Sequence, residues 1–388
     1  MIDRYPVPGS GRQMRNVVVW FSASLLLTTL FAAAPVVADG EAAKETTQDK
    51  AERPTSPYFR PLARGKAGAP AFDGKFSIDR DQTIVILGGT NALETQKFGL
   101  LESALVATHP NYQLRVRNMA WQADTVYRQQ RPRHFFQPSP IPYPGDTDGR
   151  PQIAADTIFL WMGQSESLEG LDRLEDFRKA YAKMVEQLSY FTPRIVLVTP
   201  VPFGIVDGVD LPFEERNKSL VEYVDVIKDI AKKHRLPVVD LFGRLHDSTL
   251  GTQGLLRGDS SGVPQGIAIT RNGMHLNRSG HVFSLNAWIH DLNLIEDSGT
   301  GPVQWEIDHD LLDKIIAKDD LWFRYWRPTN WAFLYGNRSL QPSSRDHIDN
   351  KKRWFPKEVD SILPLVLKAD DEIHALAKKA TKPKRLGR

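Results

Sequence analysis

The sequence predicts an α/β protein: a three-layer α/β/α sandwich around a five-stranded parallel sheet, followed by a C-terminal extension. Three observations carry this. Short apolar runs end at glycine or proline, as buried parallel strands do. Amphipathic helical stretches separate them. Long loops follow the run ends, where open parallel sheets hold their ligands.

The elements follow in order. TIVILG (83–88) is the first strand, and LLESALVATH after it is helical, with Leu101, Leu105 and Val106 on one face. LRVRNMA (114–120) and DTIFLWMG (156–163) are the second and third strands. The next helix is the clearest, with Leu171, Leu174, Phe177, Tyr181, Met184, Val185 and Leu188 along one stripe. RIVLVTP (194–200) is the fourth strand, stopped by Pro200. A helix through Leu220, Val224, Ile227 and Ala231 leads to LPVVDLF (236–242), the fifth strand, and a helix over 280–292 closes the series. The loops 127–153, 200–215 and 244–271 have the length of site walls or lids. No repeat of fixed period is visible.

Composition narrows the function classes. With 41% hydrophobic and 25% charged residues the chain is ordinary globular protein, and a net charge of +3 gives no reason to expect nucleic acid as a partner. The absence of cysteine excludes disulfides, thiolate metal sites, cysteine nucleophiles and a cysteine-linked lipid. Arg12 and Arg15 precede a long apolar run that ends in Val36-Val37-Ala38, which reads as a secretory signal cleaved after Ala38. The protein is then expected in the periplasm or outside the cell. The competing reading keeps residues 17–38 as a membrane anchor. Residues 39–72 are polar with scattered Pro and Gly and read as a linker, 73–295 as the main domain and 296–388 as the extension.

Four short segments follow strand ends: GGTN (88–91), NMAWQADTV (118–126), GQSES (163–167) and NGMHLN (272–277). In order and spacing they resemble the sequence blocks of the SGNH (GDSL) hydrolases, over about residues 82–295. NGMHLNRSGH is similar to the family's Asp-Gly-x-His-Leu-Asn-x-x-Gly, and PVVDLF before it fits too. WFRYWRPTNWAFLYG and RWFPKEVDSILPLV resemble the extension of related exported proteins of planctomycete-type bacteria. The resemblance implies a flavodoxin-like sandwich and an ester hydrolase without cofactor or metal.

It also implies roles. Thr90 stands where the family has its serine nucleophile, Ala123 at the oxyanion glycine, Ser165 at the oxyanion asparagine and Asn272 at the acid, while His275 is unchanged. Gly89 and Asn91 flank the nucleophile position and join the binding set. Each departure has its own weight. Alanine keeps the backbone donor wanted at 123 if the turn admits a Cβ. A serine hydroxyl reaches less far than an asparagine amide, and losing one oxyanion donor costs about 10²–10³ in rate. An acid-to-amide change in serine proteases costs about 10⁴ through the wrong histidine tautomer. The extra methyl of Thr90 crowds attack, and threonine nucleophiles usually use a free N-terminal amine.

Structural roles stand beside these. Thr90 can be a turn residue or helix N-cap, as in TNALE. His275 can be a satisfied loop histidine. Asp124 and Thr125 can cap a helix or brace the turn, Glu166 can orient neighbours or act as a general base, and Asp240 can brace loops or join a triad. His275 and His281 lack metal-ligand spacing, His246-Asp247 is a weak pair, and GGTN lacks the lysine of a phosphate loop. Asn217, Asn277 and Asn337 open N-x-S triplets with no weight in a bacterial protein. In the extension, Trp305, Trp322, Phe323, Tyr325, Trp326, Trp331, Phe333, Tyr335 and Trp354 either stack on carbohydrate or pack onto the domain. Residues 358–380 read as a final helix carrying Val359, Ile362, Leu363 and Val366, in which Pro364 introduces a kink or a later start. KKATKPKR is a solvated basic end. The sequence thus predicts a hydrolase of a small ester or acylated carbohydrate with a degenerate catalytic set. The alternatives are an inactive relative that binds a glycan or other envelope component, and a structural protein anchored by its tail or N-terminus.

Overall fold

The computed structural model describes residues 62–66, 69–129, 153–204, 212–249, 268–295, 303–329, 333, 338 and 341–385, all within one compact unit, Arg53–Arg388. The signal or anchor reading of residues 1–38, most of the three long loops, and Trp331 and Tyr335 lie outside the described residues. Among the described residues no helix is long and apolar enough to cross a membrane.

A short strand, β1 (Leu62–Arg64), pairs in parallel with β4 (Ile153–Ala155). Leu62 and Phe72, in the last part of the segment read as a linker over 39–72, are buried, so the chain joins the core before residue 73. The main sheet holds β2 (Thr83–Gly88), β3 (Arg115–Asn118), β5 (Thr157–Trp161), β6 (Ile195–Val198) and β7 (Val238–Val239), in the order β3-β2-β5-β6-β7, all parallel. Numbered within the sheet this is 2-1-3-4-5, the flavodoxin-like order. Alternating residues feed two cores. Val85, Leu87, Ile158, Leu160, Ile195 and Leu197 face α3 (Leu174–Ser189) and α4 (Phe213–His234). Ile84, Ile86, Phe159, Val196 and Val198 face α1 (Thr90–Phe98), α2 (Leu100–Thr108) and α6 (Arg278–Asp291). That alternation on fully buried strands is the three-layer sandwich.

Boundaries differ from the sequence reading at three places. The fifth strand shrinks from 236–242 to two residues, because Asp240 caps α5 (Leu241–Thr249): its Oδ1 accepts from Gly243 N at 3.0 Å. Leu171 falls outside α3, in a 3-10 turn after Gly170, and is exposed. The final helix is two helices, α8 (Phe355–Asp360) and α9 (Ile362–Ala377). Pro364 lies in the first turn of α9, where its missing N–H has no intrahelical acceptor to lose.

The extension closes the sheet's β3 edge. Its helix α7 (His309–Trp326) packs with α9 against α2 and β3. Residues 114, 116 and 118 point their carbonyls away from β2, and extension side chains meet each one. His374 Nε2 lies 2.8 Å from Leu114 O, Lys318 Nζ donates to Val116 O at 3.2 Å, and Trp322 Nε1 donates to Asn118 O at 2.8 Å. An exposed edge strand invites wrong pairing; side-chain donors on its carbonyls remove that hazard. Trp322, Tyr325 and Trp326 are buried, so these rings pack onto the domain. The basic end contributes β9 (Lys384–Arg385), antiparallel to β8 (Val303–Gln304), and Thr381 O accepts from Trp305 Nε1 at 2.8 Å.

Candidate active site

The pocket opens beyond the C-terminal ends of β2 and β5, beside the point where the strand order reverses. It is lined by Gly89, Thr90, Asn91, Asp124, Ser165, Glu166 and His275, together with neighbours from the ends of those strands.

Gly88 turns the chain out of β2 with φ +158, and a Cβ there would run into the carbonyl of Trp161. Thr90 then opens α1, with Gly89 as the capping residue and no side-chain cap. Thr90 is therefore the first helical residue rather than the N-cap. Its half-buried side chain faces the pocket.

The second segment forms a turn held at both ends. Trp121 N donates to Gly88 O at 3.0 Å, and Val126 N donates to Glu166 Oε1 at 2.8 Å. Between them Ala123 adopts φ +61, the left-handed region, at a cost of about 1–2 kcal/mol for a residue with a Cβ. Its N–H has no acceptor among the described residues, so the backbone donor is kept. Ala123 sits outside the pocket lining while its neighbour Asp124 lies on it.

Glu166 is buried and does two jobs at once: its other oxygen accepts from Gly163 N at 2.9 Å. It thereby joins the Ala123 turn to the segment carrying Ser165, whose side chain is exposed at the pocket rim. Burial pushes the Glu166 carboxyl up to about 7, against the pull of its backbone donors. A folded-state value above the unfolded 4.5 means that stability is lost as pH rises through that window. Relative to Glu166→Gln, the parent is expected to lose up to about 1.4 kcal/mol per pH unit across it. Denaturation at successive pH values reads the difference.

His275 lies on a tight loop. Gly273, at φ +79, packs under Phe213, where a Cβ would collide with the ring. Two amides clamp the loop. Asn91 Nδ2 donates to Gln164 Oε1 at 3.0 Å and to Met274 O at 3.1 Å, and Asn91 Oδ1 accepts from Leu276 N at 2.9 Å. Gln164 Nε2 also reaches Met274 O, at 3.1 Å. Both amide hydrogens of Asn91 are thus spent on bracing, although its side chain lines the pocket.

Asn272 decides the state of His275. Its Oδ1 accepts from Met274 N at 3.2 Å and His275 N at 2.9 Å, and its Nδ2 lies 3.1 Å from His275 Nδ1. Turning the amide over would set its NH2 against two backbone donors, so the orientation is fixed. An amide N–H pointing at Nδ1 makes Nδ1 the acceptor and puts the ring proton on Nε2. Burial, followed by the charges of Arg271 and Lys97, holds the imidazole below its ordinary value, with Glu94 pulling the other way. Neutral His275 therefore presents an N–H to the pocket where a general base needs a lone pair.

Sequence reasoning missed Gln164, Glu94 and Arg271. Gln164 lies inside the quoted GQSES, and only the fold shows its reach. Glu94 is buried on α1, pairs with Arg271 at 2.7 Å and Lys97 at 2.9 Å, and ties the helix behind Thr90 to the His275 loop. Burial works against its charge, but the two cations outweigh it and hold the carboxyl below the usual range. His281, its ring tilted against that of Phe98 with centroids 4.5 Å apart, is buried and pushed down to about 4 by burial.

A doubly wound parallel sheet thus carries, beyond its strand ends, one pocket lined both by the hydroxyl residue after a Gly-Gly turn and by a histidine on a late loop. The chain belongs to the GDSL-like lipase/acylhydrolase family, whose profile matches residues 46–283. No curated protein matches the chain. Among solved structures it is similar to a putative GDSL-like lipase from Parabacteroides merdae, at 13% identity and TM-score 0.42, covering 57% of this chain and 100% of that one. An α/β hydrolase from the Lake Arreo metagenome is 17% identical at TM-score 0.39, covering 56% and 97%. An acetylxylan esterase from Geobacillus stearothermophilus is 14% identical at TM-score 0.39, covering 55% and 95%.

Proposed function

We propose that this pocket takes an acyl ester, with acylated carbohydrate as its substrate class, and cleaves it slowly in an exported protein. Thr90 Oγ1 attacks the carbonyl carbon and passes its proton to His275 Nε2 in the minor tautomer that leaves Nε2 bare. The backbone N–H groups of Thr90 and Ala123 and the Ser165 hydroxyl receive the negative oxygen. The alcohol leaves with the proton, and water then releases the acid from Thr90 with the same base. The observation that carries this is the convergence of Thr90, Ser165 and His275 on one pocket at the strand ends.

One observation favours a second reading. The fixed amide of Asn272 suits a relative that binds an acylated glycan through donors and does not turn it over. Hydrolysis of aryl esters and acetylated sugars by residues 39–388, beside Thr90→Ala and His275→Ala, separates the two. Turnover abolished by either substitution supports the hydrolase. Binding of acetylated sugar without turnover supports the second reading. Export is tested separately, by locating the full-length protein and sequencing its mature N-terminus.

A further inference from the structure

The turn that presents Ala123 is held at both ends within the hydrolase domain, and its near end also rests on the extension. Glu166 holds the far end at Val126. The near end is Trp121, whose ring lies against the C-terminal end of α7 and the residue beyond it. Phe323 stacks on the Trp121 ring at 5.9 Å between centroids and 13° between planes. The Arg327 guanidinium lies 5.1 Å from the same ring centroid and 4.3 Å from that of Trp326. Trp121 is two residues before Ala123, and its backbone is tied to Gly88 at one end of the Thr90 turn and to Asp124 N at 3.3 Å. Trp121 thus ties both segments that would carry oxyanion donors through its backbone, while its ring rests on the extension.

The same helix fixes the strand that delivers this turn. Lys318 and Trp322 donate to the outward carbonyls of β3, and Arg117 on that strand pairs in a buried bidentate contact with Asp370 of α9. A left-handed alanine needs surroundings that hold it, because its own preference runs the other way. The extension supplies part of that hold, through the Trp121 ring and through β3.

We propose that Phe323 and Arg327 are positioning residues for the Ala123 turn, so that the C-terminal extension is a working part of the active site. The catalytic side of this rests on the ester-hydrolase reading above; the positioning side does not. Residue-resolved amide hydrogen exchange tests it in Phe323→Ala, Arg327→Gln and the conservative Phe323→Tyr. Exchange at Trp121 N–H and Asp124 N–H is expected to accelerate about tenfold or more in the first two variants, as for a locally opened segment. Exchange at Leu276 and within β5 stays at the parent rate, and Phe323→Tyr restores protection. On any ester the parent hydrolyses, kcat falls in the first two variants at unchanged KM, the signature of a lost transition-state interaction. Unchanged exchange at Trp121 and Asp124 overturns the proposal. So does equal acceleration in β5 and the His275 loop, which would mean ordinary loss of packing. A parent that hydrolyses no ester refutes the hydrolase reading and leaves the exchange result to decide this one.

Discussion

Asn272→Asp is expected to raise ester turnover by up to about four orders of magnitude, the size of the reverse change in a serine protease. The loop is already built for the carboxylate. Oδ1 would keep its bonds from Met274 N and His275 N, and the second oxygen would replace an N–H with an acceptor 3.1 Å from Nδ1. The ring proton then moves to Nδ1, and Nε2 gains the lone pair that must take the proton from Thr90. The added negative charge also raises the His275 pKa, which burial, Arg271 and Lys97 now hold down. Catalysis needs the neutral ring, so the acid limb of kcat/KM moves to higher pH in the variant even as its plateau rises. A plateau that does not rise would place the barrier at Thr90, where Thr90→Ser on the same background is the next variant to measure.

Lys318→Met is expected to cost about 3–5 kcal/mol, the usual consequence of removing one partner from a buried ion pair. Lys318 is fully buried and lies 2.6 Å from both Glu102 and Asp319. Burial alone would strip its charge, but the two carboxylates hold its pKa up, while their own are pushed up by burial. Removing the ammonium leaves two carboxyl groups facing each other between α7 and α2, and frees the Val116 carbonyl. Urea denaturation reads the loss directly. The triple change Lys318→Met with Glu102→Gln and Asp319→Asn should recover most of it, because no uncompensated charge remains. A loss below about 1 kcal/mol in the single variant would mean that the extension docks without this cluster.

Much of the sheet was legible because a parallel strand buried on both faces writes itself as an apolar run, as in TIVILG and RIVLVTP. The fifth strand was overread because LPVVDLF continues apolar past Asp240, and only the fold shows that this aspartate starts a helix. Helix α1 writes no clear apolar stripe into the sequence, since its inward residues include Asn91, Glu94 and Thr95, and Gly99 parts it from α2 by a left-handed turn. The positions of Thr90, Ser165 and His275 followed from motif spacing. The clamp of Asn91 and Gln164 on the His275 loop did not, nor did the capping of β3 by His374, Lys318 and Trp322. Those contacts join residues more than one hundred positions apart in all but the shortest link, and no local pattern records them.

Whether His275 can act as a base depends on where its ring proton resides. Its imidazole nitrogens can be read by 15N NMR in protein labelled at histidine, above the lowered pKa of the ring, with His275→Gln to assign the signals. The predicted result is a protonated Nε2 and a bare, hydrogen-bonded Nδ1 in the parent, exchanging roles in Asn272→Asp. A protonated Nδ1 and bare Nε2 in the parent would contradict it, and would make His275 a ready general base despite Asn272.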